Sequence, residues 1–294
     1  MIPLPADLAC PVATPESAVT VEIVTTAEFP TKWGSIVDKG HTCEGMAAPF
    51  GGAGRSAATT CGQRDDQVME ALVGLIHHPA GLVTVDAGLG RTTRDGTYPK
   101  FPYSSFPIET DGTSALVDLL AGVTPLLTLL THPHYDHVGG LFDLPGAKVW
   151  ISEGDWSAYG HGKPGFPRRL RENVEWLPQS FASAATVMDR PAIDVLGDGT
   201  IWYLSTPGHT PGETAVLVRA ADHPWLFIGD TAWVDEHLYG GHRPWLIHSL
   251  VDAKPKRLTE SLEWARWFYN HCPDVQVVAG HEPRWVAARS SAAR

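Results

Sequence analysis

Short apolar runs alternate with polar loops along this chain, and four of the runs end in the same way. Residues 125–130, 201–206, 225–228 and 275–279 are apolar over the length of a buried β-strand. Each is followed within a few residues by a histidine or an aspartate, usually after a glycine or proline turn. Side chains of this type at several strand ends predict a site that the fold assembles from distant parts of the chain.

The remaining pattern favours the α/β class. Residues 71–76 and 82–85 are apolar and are separated by a turn-like segment, which predicts a hairpin that ends at Asp86. Helical spacing occurs at residues 113–121 and 255–271. In the longer helix the apolar positions expected to cover a sheet are Leu258, Leu262, Trp264, Ala265 and Phe268. Strands that alternate with helices in this way are typical of an α/β domain.

Residues 131–140 carry the densest chemistry of the chain. His132 and His134 are one residue apart, so in an extended segment their side chains lie on the same side and can bind one ion. Asp136 and His137 are adjacent and point in other directions, which suits a second ion nearby. Imidazole nitrogen and carboxylate oxygen are ligands that zinc accepts. The segment therefore predicts a metal site.

This cluster cannot fill two coordination spheres by itself, so further donors are required. The other three strand ends supply His209, Asp230 and His281. Taken singly, each is more often an ordinary buried histidine or a turn aspartate. Their occurrence in one order after buried strands favours a shared metal-binding role.

The ordered set resembles the metallo-β-lactamase superfamily of hydrolases. The resemblance implies a first metal site and a second metal site joined by the bridging carboxylate of Asp230. The first site would use His132, His134 and His209, and the second would use Asp136, His137 and His281. Asp86 matches an aspartate that orients ligands without binding metal.

The resemblance also implies the architecture, a four-layer αβ/βα sandwich in which two mixed sheets pack face to face with helices outside. It covers about residues 65 to 285. We therefore expect a hydrolase domain at residues 65–294 and, packed on it, an N-terminal extension with a loop-rich segment at residues 1–64.

The implied activity is that of a dinuclear metal-dependent hydrolase. Metal-bound hydroxide would attack a lactone or ester bond of an apolar small molecule, with Asp136 and Asp230 as the catalytic carboxylates and Asp136 as the proton shuttle. Zinc is the expected ion, with iron or manganese as alternatives.

The turn at residues 206–212 looks most like the acyl-homoserine lactonase branch, but one position departs from it. In that branch a tyrosine three residues after the bridging aspartate contacts the substrate carbonyl, and here the position is Trp233. An indole donates one hydrogen bond and cannot act as a phenol does. Trp233 is then expected to line the substrate pocket, and the replacement donor is sought among His237, Tyr239 and His242, each of which has a structural role as its alternative.

Two other functions stay open at this point. Eleven tryptophans would suit a broad apolar pocket, as in polyketide thioesterase and cyclase members of the superfamily. A catalytically inactive binding scaffold is the non-enzyme alternative, disfavoured because all seven ligand positions are filled. Glyoxalase-type thioesterases are disfavoured because basic residues near the end of the chain are few, among them Arg284 and Arg289.

Charge and cysteine content limit partners and compartment. A net charge of −11 disfavours nucleic acid, so we expect a small-molecule substrate, no membrane partner, and a homodimer as an open alternative. Residues 1–10 lack a basic signal-peptide start, and residues 115–130 carry Asp118 and Pro125, so a cytoplasmic protein is expected. The four cysteines are interpreted as free thiols, with a bond between Cys43 and Cys61 left open.

Three segments are interpreted as loops. Residues 40–62 are glycine-rich and are expected to form a flap or interface segment. Residues 92–112 are irregular, with aromatic side chains expected to pack in the core. Residues 163–171 are basic and are expected to be a solvated loop rather than a binding surface.

Overall fold

The computed structural model describes residues 8–15, 17–32, 36–37, 66–94, 108–161 and 166–286. Within these ranges the strands are β1 Thr20–Lys32, β2 Asp66–His78, β3 Gly81–Val85, β4 Leu127–Leu129, β5 Lys148–Ser152, β6 Glu175–Gln179, β7 Ala185–Val187, β8 Arg190–Asp194, β9 Ile201–Ser205, β10 Thr214–Arg219, β11 Pro224–Phe227 and β12 Gln276–Val278. The α-helices are α1 Arg91–Arg94, α2 Leu116–Leu119, α3 Tyr135–Val138, α4 Glu153–Asp155, α5 Arg168–Asn173, α6 Asp235–Leu238, α7 Trp245–Val251 and α8 Pro255–His271.

The strands form two mixed sheets of six strands each. The first sheet has the order β1 to β6, with antiparallel pairs from β1 to β3 and parallel pairs from β3 to β6. The second has the order β12-β11-β10-β9-β8-β7, in which only β11 and β12 are parallel. Parallel strands place their carboxyl ends at the same edge, where α/β proteins usually carry their sites.

Three apolar clusters lie between the layers of the fold. Between the sheets, side chains of β3 and β4 such as Val83 and Leu129 pack against Tyr203 and Val216 of the second sheet. The outer face of the first sheet is covered by short helices, including Leu170 of α5. The outer face of the second sheet is covered by α8. Helix, sheet, sheet and helix together form the four-layer sandwich that the family resemblance implied.

The hairpin before Asp86 and the helix at residues 255–271 are confirmed. On α8, Trp264, Ala265 and Phe268 are fully buried, because the helical spacing puts them on the face that meets the second sheet. Two other expectations change. The helix expected at residues 113–121 is the single turn α2, and part of the basic segment at residues 163–171 begins helix α5 instead of a loop.

The segment expected as an N-terminal extension contributes to the first sheet. Strand β1 pairs along β2 from Thr20↔His77 to Lys32↔Asp66, with one irregularity between Thr25 and Glu28. This part of residues 1–64 therefore completes the edge of the sheet. The domain boundary at residues 64 and 65 stays a prediction, and the flap expected at residues 40–62 lies outside the described residues.

The free-thiol interpretation is wrong for two of the four cysteines. Cys10 and Cys272 form a disulfide, with their Cα atoms 5.5 Å apart. The bond joins a segment before β1 to the residue that follows the last turn of α8. Cys43 and Cys61 lie outside the described residues, and so do the aromatic residues expected in the core at residues 92–112: Tyr98, Phe101, Tyr103 and Phe106. Among the helices described, none combines the length and the apolar surface needed to cross a bilayer.

Candidate metal centre

Strand ends and the turns behind them bring together all seven residues predicted as ligands. They form two groups of donors, in each of which the candidate ligand atoms lie within 4.8 Å of one another. The first group is His132, His134, His209 and Asp230, and the second is Asp136, His137 and His281. The groups meet at Asp230, three residues after the end of β11.

The first group gathers three imidazoles around one carboxylate oxygen. The Nδ1 atom of His134 lies 3.1 Å from Nε2 of His132 and 2.9 Å from Nε2 of His209. The Oδ2 atom of Asp230 lies 3.2 Å from His209 Nε2 and 3.7 Å from His132 Nε2. Separations of this size between nitrogen and oxygen lone pairs fit donors that share one cation.

The second group faces the other oxygen of the same carboxylate. The Oδ1 atom of Asp230 lies 3.1 Å from His281 Nε2 and 3.5 Å from His137 Nε2. The Oδ2 atom of Asp136 lies 3.5 Å and 3.8 Å from the same two nitrogens. Each oxygen of Asp230 is thus directed at a different group, as a bridging ligand would be.

The chemistry of the donors fits metal binding. Within the described part of the chain, His137 Nε2 and Asp230 Oδ1 are buried and have no hydrogen-bond partner. Buried polar atoms without partners are costly, and they are usually explained by an ion or water at the site. The donors are imidazole and carboxylate, which suit zinc, iron or manganese.

Other side chains hold the histidine rings in place. Asp86 accepts hydrogen bonds from His137 Nδ1 at 2.8 Å and from the backbone N–H and hydroxyl of Thr131 at 2.7 and 2.8 Å. The Nδ1 atom of His281 donates to the carbonyl of Glu70 at 2.7 Å. Such partners orient a ligand and fix which nitrogen faces the metal. The orienting position predicted for Asp86 agrees with these contacts.

Backbone geometry at the site is unusual at two places. Asp86 has a φ of +62°, in the left-handed region that side chains other than glycine rarely adopt. This conformation turns its carboxylate toward Thr131 and His137. Gly280 lies so close to Asp230 that a Cβ would collide with Oδ1. Any larger residue at position 280 would therefore displace the carboxylate that joins the two groups.

The pKa values of the three histidines in the first group are shifted in different directions. Burial and the neighbouring imidazoles hold the pKa values of His132 and His134 well below the usual range, so both are neutral and able to ligate. Burial also lowers the pKa of His209, but its hydrogen bonds to Asp230 and Asp252 outweigh this effect and raise the pKa to about 9. Burial raises the pKa of Asp230, and the surrounding imidazoles pull it well below its usual value.

The side chain of Trp233 contacts a candidate ligand and is buried, so it does not form the wall of an open pocket. Its indole N–H donates to Asp230 Oδ2 at 2.8 Å, and the residue is 6% exposed. His237 is buried as well: its Nδ1 accepts from the backbone N–H of Trp233 at 3.2 Å, and its Nε2 donates to the carbonyl of Ile36 at 3.0 Å. Because both ring nitrogens bond to backbone, the contacts do not support His237 as the replacement donor.

The other two residues proposed to contact substrate are Tyr239 and His242. Tyr239 is half-buried and packs edge-on against Tyr269 of α8, with ring centroids 5.1 Å apart. His242 is exposed and lines a small cavity of about 70 Å³ beside α7 and α8. Their roles in substrate binding stay predictions.

Sequence inspection missed two residues that lie against the first group. Asp252, at the end of α7, accepts a hydrogen bond from His209 Nδ1 at 2.7 Å. Arg243 donates to Asp252 and to the backbone carbonyl of Asp230, and its guanidinium lies 4.1 Å from the Trp233 ring centroid. Neither follows a buried strand, so the pattern that identified the ligands gave no signal for them.

The tryptophan count says little about the pocket. Trp264 lies fully inside the cluster under α8, Trp202 packs against that same cluster, and Trp225 packs against the core between the two sheets. Among the described tryptophans, Trp233 is the one whose side chain contacts a predicted ligand. The broad apolar pocket inferred from composition therefore lacks support from these side chains.

A family model described as the metallo-beta-lactamase superfamily matches residues 71–266, about two thirds of the chain. The chain belongs to the metallo-β-lactamase superfamily. It is a metal-dependent hydrolase of that superfamily, as the predicted ligands and the relatives with hydrolase names agree.

Several curated members of the superfamily are similar in sequence. An N-acyl homoserine lactonase, AttM, of Agrobacterium fabrum is 28% identical over 230 residues, which cover 71% of this chain and 80% of the relative. The lactonase AttM of Azorhizobium caulinodans is 29% identical over 236 residues, with the same coverage. A probable metallo-hydrolase of Mycobacterium tuberculosis is 30% identical over 179 residues, which cover 53% and 54% of the two chains.

Solved structures share the superfamily fold. An N-acyl homoserine lactone hydrolase with the product N-hexanoyl-L-homoserine at its catalytic metal center superposes with a TM-score of 0.62 at 14% identity, covering 92% of this chain and 95% of that one. AidC, a dizinc quorum-quenching lactonase, superposes with a TM-score of 0.55 at 15% identity, covering 91% and 88%. At these identities the likeness concerns the fold.

Proposed function

We propose that this superfamily member is a dinuclear metallohydrolase that opens a lactone or cleaves an ester of an apolar small molecule. The observation that carries the proposal is the position of Asp230, whose two oxygens each face a separate group of ligand-type side chains. A carboxylate in this position is suited to join two ions a few ångströms apart. Zinc is the preferred ion, with iron or manganese as alternatives.

His132, His134 and His209 would hold the first ion, Asp136, His137 and His281 would hold the second, and Asp230 would serve both. When bound, the ions supply Lewis acidity and lower the pKa of a bound water. The chain's own contribution is positional and acid–base. Asp86 and Asp252 orient the histidines, and Asp136, which is half-buried at the start of α3, would carry a proton toward the leaving group.

The lactone assignment draws on the relatives, since two N-acyl homoserine lactonases are similar over 71% of the chain. The superfamily's polyketide thioesterases and cyclases stay the alternative, and an inactive binding scaffold stays the second. Hydrolysis of a panel of lactones, aryl esters, thioesters and phosphotriesters by the zinc-loaded protein separates them. Hydrolysis of thioesters alone would replace the proposal, and inactivity on every class would favour the scaffold.

The number of ions gives the first prediction. Asp230→Ala should abolish binding of both ions, because one carboxylate serves each group, whereas His281→Ala should weaken mainly the second. Elemental analysis of dialysed protein after metal-replete expression should find two ions per wild-type chain and one for His281→Ala. Equal losses in the two variants would contradict the bridging position of Asp230.

A small-molecule substrate without nucleic-acid or membrane partners fits the net charge of −11. A homodimer stays an open alternative. A cytoplasmic location also stays a prediction, and the bond between Cys10 and Cys272 weighs against it, because disulfides persist mainly in oxidising compartments.

A further inference from the structure

We propose that Trp233, Arg243 and Asp252 form, together with His209 and Asp230, a closed ring of contacts that positions His209 Nε2 and Asp230 Oδ2 for the first ion, with Asp252 as the central positioning residue. The inference rests on the proposed dinuclear function. It assigns to Trp233 a part in holding the metal ligands, in place of contact with substrate.

The ring can be followed from atom to atom. The indole N–H of Trp233 donates to Asp230 Oδ2 at 2.8 Å, and the guanidinium of Arg243 lies over the indole ring at 4.1 Å. Arg243 donates to Asp252, and Asp252 accepts from His209 Nδ1 at 2.7 Å. The Nε2 atom of His209 lies 3.2 Å from Asp230 Oδ2, which closes the ring.

Asp252 carries the largest share of these contacts. Its side chain is completely buried, and its two oxygens accept from His209, from Arg243 and, at 2.6 Å, from His248 Nδ1. A buried carboxylate with several donors has one orientation, and it imposes that orientation on each donor. The ring of His209 therefore presents Nε2 to the first group of ligands.

Arg243 connects the two ends of this arrangement. One N–H group bonds to Asp252 and another to the backbone carbonyl of Asp230, while the planar face of the guanidinium rests on Trp233. Lysine cannot make these three contacts at once, because it has neither the planar face nor the fork of donors.

The second group of ligands has separate supports. Asp86 holds His137, and the main-chain carbonyl of Glu70 holds His281. The ring also treats the two oxygens of Asp230 differently: Oδ2 accepts from Trp233, whereas Oδ1 has no hydrogen-bond partner among the described residues. Disruption of the ring should therefore affect one ion and spare the other.

The test measures Zn²⁺ affinity by competition with a chromogenic chelator in two backgrounds that each retain one ion. His281→Ala leaves chiefly the first ion, and His209→Ala leaves chiefly the second. Adding Asp252→Asn should weaken Zn²⁺ binding by roughly 10- to 100-fold in the His281→Ala background and leave it unchanged in the His209→Ala background. Asp86→Asn is the matched control and should show the reverse pattern.

Arg243→Lys gives a second test that keeps the positive charge beside Asp252, and it should weaken Zn²⁺ binding in the His281→Ala background alone. Unfolding of the metal-free variants, followed by circular dichroism, reports folding separately from affinity. Equal weakening in both backgrounds, or none in either, would overturn the ring. If His209→Ala and His281→Ala did not each retain one ion, the dinuclear proposal itself would fail, which is a distinguishable result.

Discussion

Asp155 is a buried carboxyl that holds the loop carrying His209. It accepts hydrogen bonds from Thr210 Oγ1 at 2.8 Å and from the backbone N–H of Gly212 at 2.7 Å. Burial raises its pKa to about 7, against the opposing effect of these two hydrogen bonds. In the unfolded chain the pKa of an aspartate is about 3.9. Between these values the folded protein therefore binds more protons than the unfolded chain.

Since the folded state holds the extra proton, the contribution of Asp155 to stability is present below about pH 4 and is lost as the pH rises through about 7. Asp155→Asn keeps an acceptor for Gly212 and supplies a donor to Thr210. The variant should therefore lose less stability than the wild type between pH 4 and pH 7. Urea unfolding at several pH values measures this difference, and identical slopes would show that Asp155 is ionised throughout the range.

Trp233→Phe tests the indole hydrogen bond. The change keeps an aromatic ring beneath Arg243 and removes the N–H that donates to the buried Asp230 carboxylate. The free energy of unfolding of chelator-treated protein should fall by about 1.5–3 kcal/mol, because the acceptor is charged. Trp202→Phe, which removes an N–H bonded to the neutral carbonyl of Gly199, should cost only about 0.5–1.5 kcal/mol.

The KM of zinc-loaded Trp233→Phe should stay near the wild-type value, since the indole touches a ligand and is almost completely buried. A raised KM with unchanged stability would instead place the indole against substrate, as the sequence first suggested.

At the residue scale, the candidate ligands could be predicted from the sequence, whereas the residues that support them could not. His209, Asp230 and His281 lie three or four residues after the ends of buried strands, so a local pattern reveals each of them. Asp252 and Arg243 lie in segments without such a pattern, and only the tertiary fold brings them to His209. The contacts of His237 also depend on the tertiary fold, because its partner Ile36 lies 201 positions away, and its role in substrate binding stays a prediction.

At the scale of elements, the start of α8 fixes the loop that carries His209. The backbone N–H groups of Ala253 and Lys254 donate to the carbonyls of His209 and Gly208 at 2.9 and 2.8 Å, and Ser261 Oγ donates to the carbonyl of Pro207 at 3.0 Å. A Cβ at position 208 would collide with the backbone of Leu258. The helix and the loop therefore need glycine between them.

Gly208→Ala should push the loop away from α8 and weaken Zn²⁺ binding at the first group, with a smaller effect at the second. Chelator competition in the His281→Ala and His209→Ala backgrounds measures this. Thr259→Ala, an exposed change next to Leu258, is the control and should leave both affinities unchanged. Wild-type affinity in Gly208→Ala would mean that the loop moves without carrying His209 out of place.

Strand and helix order followed from the sequence where the local signal was strong, as in α8 with its seventeen residues. Strand β1 was missed because the segment before residue 64 matched no known pattern, although its apolar positions Val21 and Ile23 alternate as in a strand. The length of helix α2 was overestimated. The apolar stretch from Ala115 is short and is flanked by turn residues, so the helix has a single turn.

At the scale of the whole molecule, the bond between Cys10 and Cys272 closes a loop of 262 positions. No spacing rule connects cysteines so far apart, so the pairing could not be predicted from sequence. Closing a long loop restricts the unfolded chain and typically stabilises a protein by about 2–4 kcal/mol. Cys10→Ser should lower the free energy of unfolding by a similar amount.

Reductant supplies the matched control in a background that carries Cys43→Ser and Cys61→Ser, because there it should destabilise the chain that retains Cys10 to the level of Cys10→Ser and leave that variant unchanged. Thermal unfolding with and without dithiothreitol measures both. A wild-type protein that reductant does not affect would show that the bond contributes nothing to stability.

Two buried atoms at the candidate metal centre connect the amount of this protein in a cell with the supply of metal ions. His137 Nε2 and Asp230 Oδ1 are buried without a hydrogen-bond partner in the described structure, and the nearby imidazole of His281, at 3.1 Å from Asp230 Oδ1, offsets only part of the cost of desolvating them. Any cation that binds the folded chain and not the unfolded one removes this cost by mass action. Cells starved of transition metals should therefore hold less of this protein, because quality-control proteases act on the unfolded fraction that scarcity of the ion enlarges.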